Sequence, residues 1–174
     1  MRALRLPDGT PVRVRPMVHG DRLWLGEAVE RLTPESRYLR FLSPLRTLDD
    51  AMLTRLVDSV DGVDHVAVVA TLSPGEPEAQ RGAVARYIRL PDERDVAELA
   101  ITVTDVLQGR GLGSLVGRWL ADHALRSGVT TFGATIAASN TASIKIMGGL
   151  GEIVRQDYPS PGVLDIRVLL GSET

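Results

Sequence analysis

The chain has no cysteine, a single lysine and few aromatic residues. Without cysteine there is no disulfide, no thiolate–zinc site and no cysteine nucleophile. The net charge of −2 gives no global basic field of the kind nucleic-acid binding draws on. No apolar run approaches the ~20 residues of a membrane-spanning helix. The start, MRALRLPDGT, lacks the apolar core of a secretory signal. A cytoplasmic protein is therefore expected, with neither nucleic acid nor membrane as partner. His19, His65 and His123 show no ligand spacing, so no metal is expected. Of 20 basic residues only Lys145 is lysine, which codon bias towards arginine would explain.

What is present is an ordinary apolar core: 44% hydrophobic and 24% charged residues in 174, enough for one domain over residues 1–174. Val12–Arg15 reads as a strand ended by Pro16. Asp21 is placed to cap a helix over Arg22–Leu32, and Thr33-Pro34-Glu35 to open a short one through Phe41. Thr47 with Asp50 resembles a capping box for a third helix, Leu48–Ser59. Asp64–Leu72, Ala83–Leu90 and Val96–Thr104 read as strands, antiparallel because their connections are short. From Gly111 to Ser127 the period is helical, with Gly128 as its stop. Strand Thr130–Ala137, helix Thr141–Gly149 and strands near Glu152–Asp157 and Val163–Leu170 complete the chain. This order predicts one mixed α/β sheet with helices on both faces.

The segment LAITVTDVLQGRGLGSL (Leu99–Leu115) carries the chemistry. A β-branched strand stops, glycines follow at 109, 111 and 113, and a helix begins. A helix start exposes unpaired N–H groups and the positive end of its dipole, and glycine lets a phosphate approach them. A Walker A loop would need Gly-Lys-Ser/Thr at its end, and lysine is missing. A dinucleotide fingerprint would need glycine at 114, where Ser114 stands. The pattern Q/R-x-x-G-x-G/A is met in full by Gln108, Gly111 and Gly113, with Arg110 able to add charge at the rim. A glycine turn with no ligand, or glycines serving close helix packing, would look the same in isolation.

Together with SNTASIKIMGGLG (Ser139–Gly151), this loop resembles the GNAT acyltransferase superfamily. That family carries such a loop after its central strand and, one strand later, an asparagine before a helix ending in Leu-Gly. Asn140, Ser143, Leu150 and Gly151 match. The resemblance implies an α/β fold with a mixed, mostly antiparallel central sheet, helices on both faces and a splayed central strand. It implies acetyl-CoA as cosubstrate. Backbone groups of Ile101, Thr102 and Val103 should then face the pantetheine and thioester, with a bulge there splaying the strand. Gln108, Gly109, Arg110, Gly111, Leu112, Gly113 and Ser114 should hold the pyrophosphate. Asn140 and Ser143 should meet the pantetheine arm, although Asn140 would serve equally as a helix cap.

Direct acyl transfer needs a neutral amine, a donor for the oxyanion and a route out for the thiolate. The Val103 N–H is the expected oxyanion donor. Glu98 is the only charge in VAELAITVT, so burial and a raised pKa are expected for it, suiting a general base. A salt-bridged structural glutamate is the alternative. Many family members have tyrosine seven residues after the asparagine. Met147 stands there and donates no proton, which leaves Tyr38 and Tyr158 as stand-ins or the thiolate leaving unassisted. His123 reads as a surface or packing residue.

The segment LTPESRYLRFLSP (Leu32–Pro44) is similar to bacterial protein-lysine acetyltransferases that modify acyl-CoA synthetases. Read by itself it is an apolar helix face with Arg37 and Arg40 on the solvated side. Three functions follow: a protein-lysine acetyltransferase, a small-amine acetyltransferase, or a non-catalytic acyl-CoA-binding module if Glu98 is ion-paired and Met147 marks lost chemistry. A regulatory domain in addition would not fit in 174 residues. With Lys145 alone, such an enzyme would also offer itself almost no target.

Overall fold

A computed structural model describes residues 4–76 and 79–171. Strands β1 (Leu4–Arg5) and β2 (Pro11–Pro16) lead to helices α1 (Arg22–Arg31), α2 (Pro34–Phe41) and α3 (Asp50–Leu53), the last running into a π-helical turn, Thr54–Asp58. Strands β3 (His65–Leu72), β4 (Gln80–Arg89) and β5 (Val96–Val103) form a meander. Helix α4 (Leu112–Arg126), β6 (Thr131–Ala137), α5 (Thr141–Gly148), β7 (Gly151–Ser160) and β8 (Val163–Leu170) follow. The strands make one sheet in the order β1-β2-β3-β4-β5-β6-β8-β7. Every neighbouring pair is antiparallel apart from β5–β6. No helix is long and apolar enough to cross a membrane among the described residues.

Both faces of the sheet are covered. Alternate residues of β3 serve the two sides: Val66, Val68 and Ala70 pack under α4, while Ala67 and Val69 pack under α1 and the α3 segment. That is why this strand reads as a continuous apolar run. On α4, Leu112, Leu115, Val116, Leu120, Ala121 and Ala124 recur at helical spacing and are all buried. A fully buried leucine contributes roughly 1.5–3 kcal/mol over leaving it exposed. Gly128, with φ +81°, ends this helix as expected.

Local details differ from expectation where a side chain found a tertiary partner. Asp21 does not cap α1. Its carboxylate is 2% exposed and forks onto Arg15 at 2.7 and 2.6 Å, with Arg81 at 3.2 Å and the Val18 N–H at 3.0 Å. This ties the start of α1 to β2 and β4. Asp49, not Thr47, caps α3, accepting from the Met52 N–H. Strand β7 is longer than its apolar core suggested because pairing with β8 carries it on to Ser160.

Arg15 above all, with the Val18 amide, holds the Asp21 carboxyl below the usual carboxylate range. The folded value lies below the unfolded one near 3.9. The stabilisation is thus complete above that pH and lost as pH falls through the folded value. Asp21→Asn should cost about 1–3 kcal/mol at pH 7, and the deficit should shrink in acid. Urea unfolding at pH 7 and pH 3 checks this; an equal deficit at both would exclude a role for the charge.

Candidate active site

Strand β5 has two neighbours at its start and one at its end. Its parallel ladder with β6 pairs Val96↔Thr131, Ala97↔Phe132 and Glu98↔Gly133, then stops. Its ladder with β4 continues unbroken to Ala83↔Val103, and the Thr104 N–H donates to the Gly82 carbonyl at 2.9 Å. Antiparallel pairing alternates the direction of the backbone groups. Ile101 and Val103 therefore turn their N–H groups away from β4, into the gap that β6 has left. A cleft of about 400 Å³ fills this gap, lined by β5 from Leu99 to Val103, by β6 from Ala134 to Ile136, by the loop after β5 and by α5. The expected bulge in β5 is not there. Instead β6 stays paired with β8 along all of Thr131–Ala137, so it is β6 that diverges.

The loop after β5 ends in the first turn of α4. Gly109 and Gly111 have φ of +75° and +86°, a left-handed backbone that favours glycine. The first intrahelical bond runs from the Leu115 N–H to the Gly111 carbonyl at 3.0 Å. The N–H groups of Leu112, Gly113 and Ser114 thus have no acceptor within the helix, and all three residues line the cleft. Unpaired amides and the helix dipole together make an anion seat. Gly113 has a packing reason too: a Cβ there would lie 2.8 Å from Ile146 Cδ1.

Two side chains of the loop do something other than expected. Arg110 reaches away from the cleft to Asp8 at 2.6 Å and Thr10 at 3.0 Å, clamping the loop to the β1–β2 turn. The hydrogen bond from Thr10, then that from Arg110, holds the Asp8 carboxyl well below its ordinary value. Gln108 folds back, its Nε2 donating to the Val103 carbonyl and Ser36 Oγ, both at 3.2 Å, and to Asp105 Oδ1 at 3.0 Å. Asp105 in turn accepts from the Thr33 N–H at 2.7 Å and from Ser36 Oγ. The loop and the start of α2 are thus one hydrogen-bonded unit.

On α5, Asn140 Oδ1 accepts from the Ser143 N–H at 3.0 Å, so the capping role is present. The Asn140 amide N–H₂ has no acceptor among the described residues, and both residues line the cleft. Lys145 lines it as well, exposed, while Met147 is buried against it. Gly151 is required where β7 begins, since a Cβ would lie 2.0 Å from the Leu169 carbonyl oxygen.

Glu98 differs from expectation in its burial. It is exposed and has no ion pair or hydrogen bond among the described residues. Its ladder partner on β6 is Gly133, which has no side chain to cover it, and Ile88 opposite on β4 is itself exposed. Glu98 shares a face of β5 with Ala100 and Thr102, which line the cleft, but does not itself line it. Thr102 lies four residues along, about 13 Å by strand rise. Tyr38 and Tyr158 are exposed and line no part of the cleft. His123 packs within the fold, its Nδ1 3.0 Å from the Tyr87 hydroxyl and its ring stacked on Trp119. Among the described residues no group of three His, Cys, Asp or Glu is placed to hold a metal.

Sequence reasoning missed two arginines. Arg37 and Arg40 are not a solvated face. Arg37 donates to the Glu30 and Leu32 carbonyls, closing the end of α1. Arg40 turns inward, its Nε donating to Thr102 Oγ1 at 2.9 Å. Behind it Arg86, on β4, is 4% exposed. Arg86 is the lone charge in the apolar run AVARYI (Ala83–Ile88), and the argument applied to Glu98 would have found it.

An acid at position 114 should separate helix stability from anion binding. Ser114→Asp adds charge at a helix N-terminus, worth about 0.3–1 kcal/mol in favour of the fold. The same charge should repel a pyrophosphate. Calorimetry with CoA should show affinity at least tenfold weaker at an undiminished melting temperature. Unchanged affinity would remove the pyrophosphate from this helix start.

No family model matches the chain. It is 31% identical over 152 residues to an acetyltransferase of Pseudomonas aeruginosa, covering 87% of this chain and 80% of that one. It is 38% identical over 146 residues to the acetyltransferase Pat of Mycolicibacterium smegmatis, covering 83% of this chain. It spans only 42% of Pat's length. The crystal structure of the GNAT domain of S. lividans PAT superposes with a TM-score of 0.83 at 29% identity, over 97% of this chain and 96% of that one. The splayed sheet, the amide-lined helix start and these likenesses agree, and the chain belongs to the GNAT family of acetyl-CoA-dependent N-acetyltransferases, close to the Pat proteins.

Proposed function

We propose that the chain is one cytoplasmic catalytic domain that acetylates the Nε of lysine in a protein, with an acyl-CoA synthetase as the favoured acceptor. The observation that carries this reading is the position of α2. The segment that resembles protein-lysine acetyltransferases walls the cleft through Ser36, Leu39 and Arg40, beside the strand where a thioester would lie. Transfer to a small amine is the alternative. A non-catalytic binding module loses one of its two supports, because Glu98 has no ion pair among the described residues.

The proposal assigns these roles. Amides of Leu112, Gly113 and Ser114, with the left-handed turns at Gly109 and Gly111, hold the pyrophosphate. Asn140 and Ser143 steady the pantetheine arm, which takes the place of the missing β6 partner along Ile101, Thr102 and Val103. The carbonyl carbon of the thioester lies near Val103. A lysine amine is protonated near neutral pH, its ordinary pKa being about 10.4. Glu98 accepts a proton from it through a chain of waters, since the carboxylate lies outside the cleft and several residues along the strand. The neutral nitrogen attacks the carbonyl carbon and the C–N bond forms. The Val103 N–H stabilises the oxyanion. The C–S bond then breaks, the nitrogen gives up its surplus proton to solvent to leave the amide, and the thiolate takes its proton from solvent, since Met147 has none to give.

Turnover of acetyl-CoA against purified proteins and small amines decides the acceptor; mass spectrometry should place acetyl groups on protein lysines. Glu98→Gln should lower kcat by roughly 10²–10⁴ with acetyl-CoA affinity little changed. The wild-type rate should rise with pH as the acceptor amine deprotonates. Full activity in the variant would return Glu98 to a structural role. Acetylation of small amines alone would overturn the protein acceptor.

A further inference from the structure

Behind the cleft, between α1, α2 and the sheet, lies a second cavity of about 30 Å³. Arg40, Arg86, Ala100 and Thr102 line it, and Arg40, Ala100 and Thr102 line the cleft as well. By the usual ~10–15 Å³ per water, it holds two or so oxygen-sized groups.

The charges around it do not balance. Among the described residues no carboxylate forms an ion pair with Arg40 or Arg86. Arg86 meets only neutral groups: the Leu56 carbonyl at 2.5 Å, His65 Nε2 at 3.1 Å and Met17 Sδ at 4.0 Å. Burial, then Arg86, lowers the His65 pKa, so the ring stays neutral and accepts. Arg40 uses its Nε on Thr102, its guanidinium lies over the Phe41 ring at 4.9 Å from the centroid, and its two terminal nitrogens have no hydrogen-bond partner among the described residues. Burial pushes Arg40 down to about 10, and burial together with Arg40 pushes Arg86 down to about 9. Both remain charged at neutral pH. Arg86 is buried and Arg40 half-buried in the cleft wall, and two such neighbouring cations with no counter-ion among the described residues are unfavourable until an anion arrives. Elsewhere the same protein pairs even half-buried arginines with acids, as Arg15 with Asp21 and Arg167 with Glu93.

The geometry points to a carboxylate subsite at the acyl end of the cleft, in which the free fork of Arg40 binds both oxygens and Arg86 behind it supplies a further positive charge. The guanidinium fork matches a carboxylate in a way a lysine ammonium does not. Thr102 carries Arg40 and is the strand neighbour of Val103, so the bound carboxylate sits close to the reacting centre. Two reactants meet there, and the carboxylate belongs to one of them: the far end of a dicarboxylic acyl chain, or an acid group near the acceptor amine. This deepens the acetyl-transfer reading and rests on its placement of the thioester.

Calorimetry on the purified protein decides it, with no turnover required. The donor arm compares succinyl-CoA with acetyl-CoA. The acceptor arm, with the protein saturated in CoA, compares Nα-acetyl-lysine with its C-terminal amide. In one arm the carboxylate-bearing probe should bind at least tenfold more tightly. Arg40→Gln should abolish that preference, and Arg40→Lys, which keeps the charge without the fork, should restore part of it. A donor preference assigns the carboxylate to the acyl chain; an acceptor preference assigns it to the amine. No preference in either arm, or a preference that survives Arg40→Gln, overturns the subsite. Failure of the Glu98 assignment would leave these binding ratios unchanged, so the two readings fall separately.

Discussion

Everything at this site depends on β6 leaving β5 after three paired residues. Glu98↔Gly133 is the last rung, yet β5 runs on to Val103 against β4. A strand end with one neighbour leaves backbone donors and acceptors unused along its other edge. In the interior of a sheet such groups must be satisfied, and here the cosubstrate is what can satisfy them. The divergence also makes room. The N-terminus of α4 and the body of α5 fill the wedge from one face, meeting where Gly113 lies against Ile146. The opened edge and the anion-binding helix start therefore come from one structural event.

A second constraint joins the two halves of the site. Gln108, Asp105, Ser36 and the Thr33 N–H form one cluster. It holds the loop after β5 to α2, which walls the cleft. Hydrogen bonds to a charged group contribute about 1.5–3 kcal/mol each, so the carboxylate of Asp105 is the strong member. Arg110 does the same on the other flank by gripping Asp8. A loop fixed at both flanks keeps its amides pointing one way before any anion is present, which spares the ordering cost of binding.

Lone charges in apolar strands show how far this sequence can be read. A single charged residue in an apolar strand suggests a buried group with a function. Applied to VAELAITVT it selected Glu98, which is exposed because its rung partner is a glycine. Applied to AVARYI it would have selected Arg86, which is buried. The two runs look alike in one dimension. What separates them is which strand holds the middle of the sheet and which helices lie above it. Arg40 left no such trace, because a basic residue on a short amphipathic helix reads as solvated whichever way the helix is rolled.

The sequence by itself determined the local turns and the chain order: left-handed glycines at 109 and 111, the Thr33 and Asn140 caps, the apolar stripe of α4 and the antiparallel meander. These depend on φ preferences, capping groups and periodicity, all properties of neighbouring residues. Tertiary structure alone decided the rest. It moved Asp21 from cap to ion pair, sent Arg110 away from the cleft, turned Arg40 into it and left Glu98 in water. It also produced the splay without the expected bulge. Each of these is a choice among partners distant in sequence, made by whichever contact leaves fewest charges and backbone groups unpaired, and such a choice exists only once the sheet has assembled.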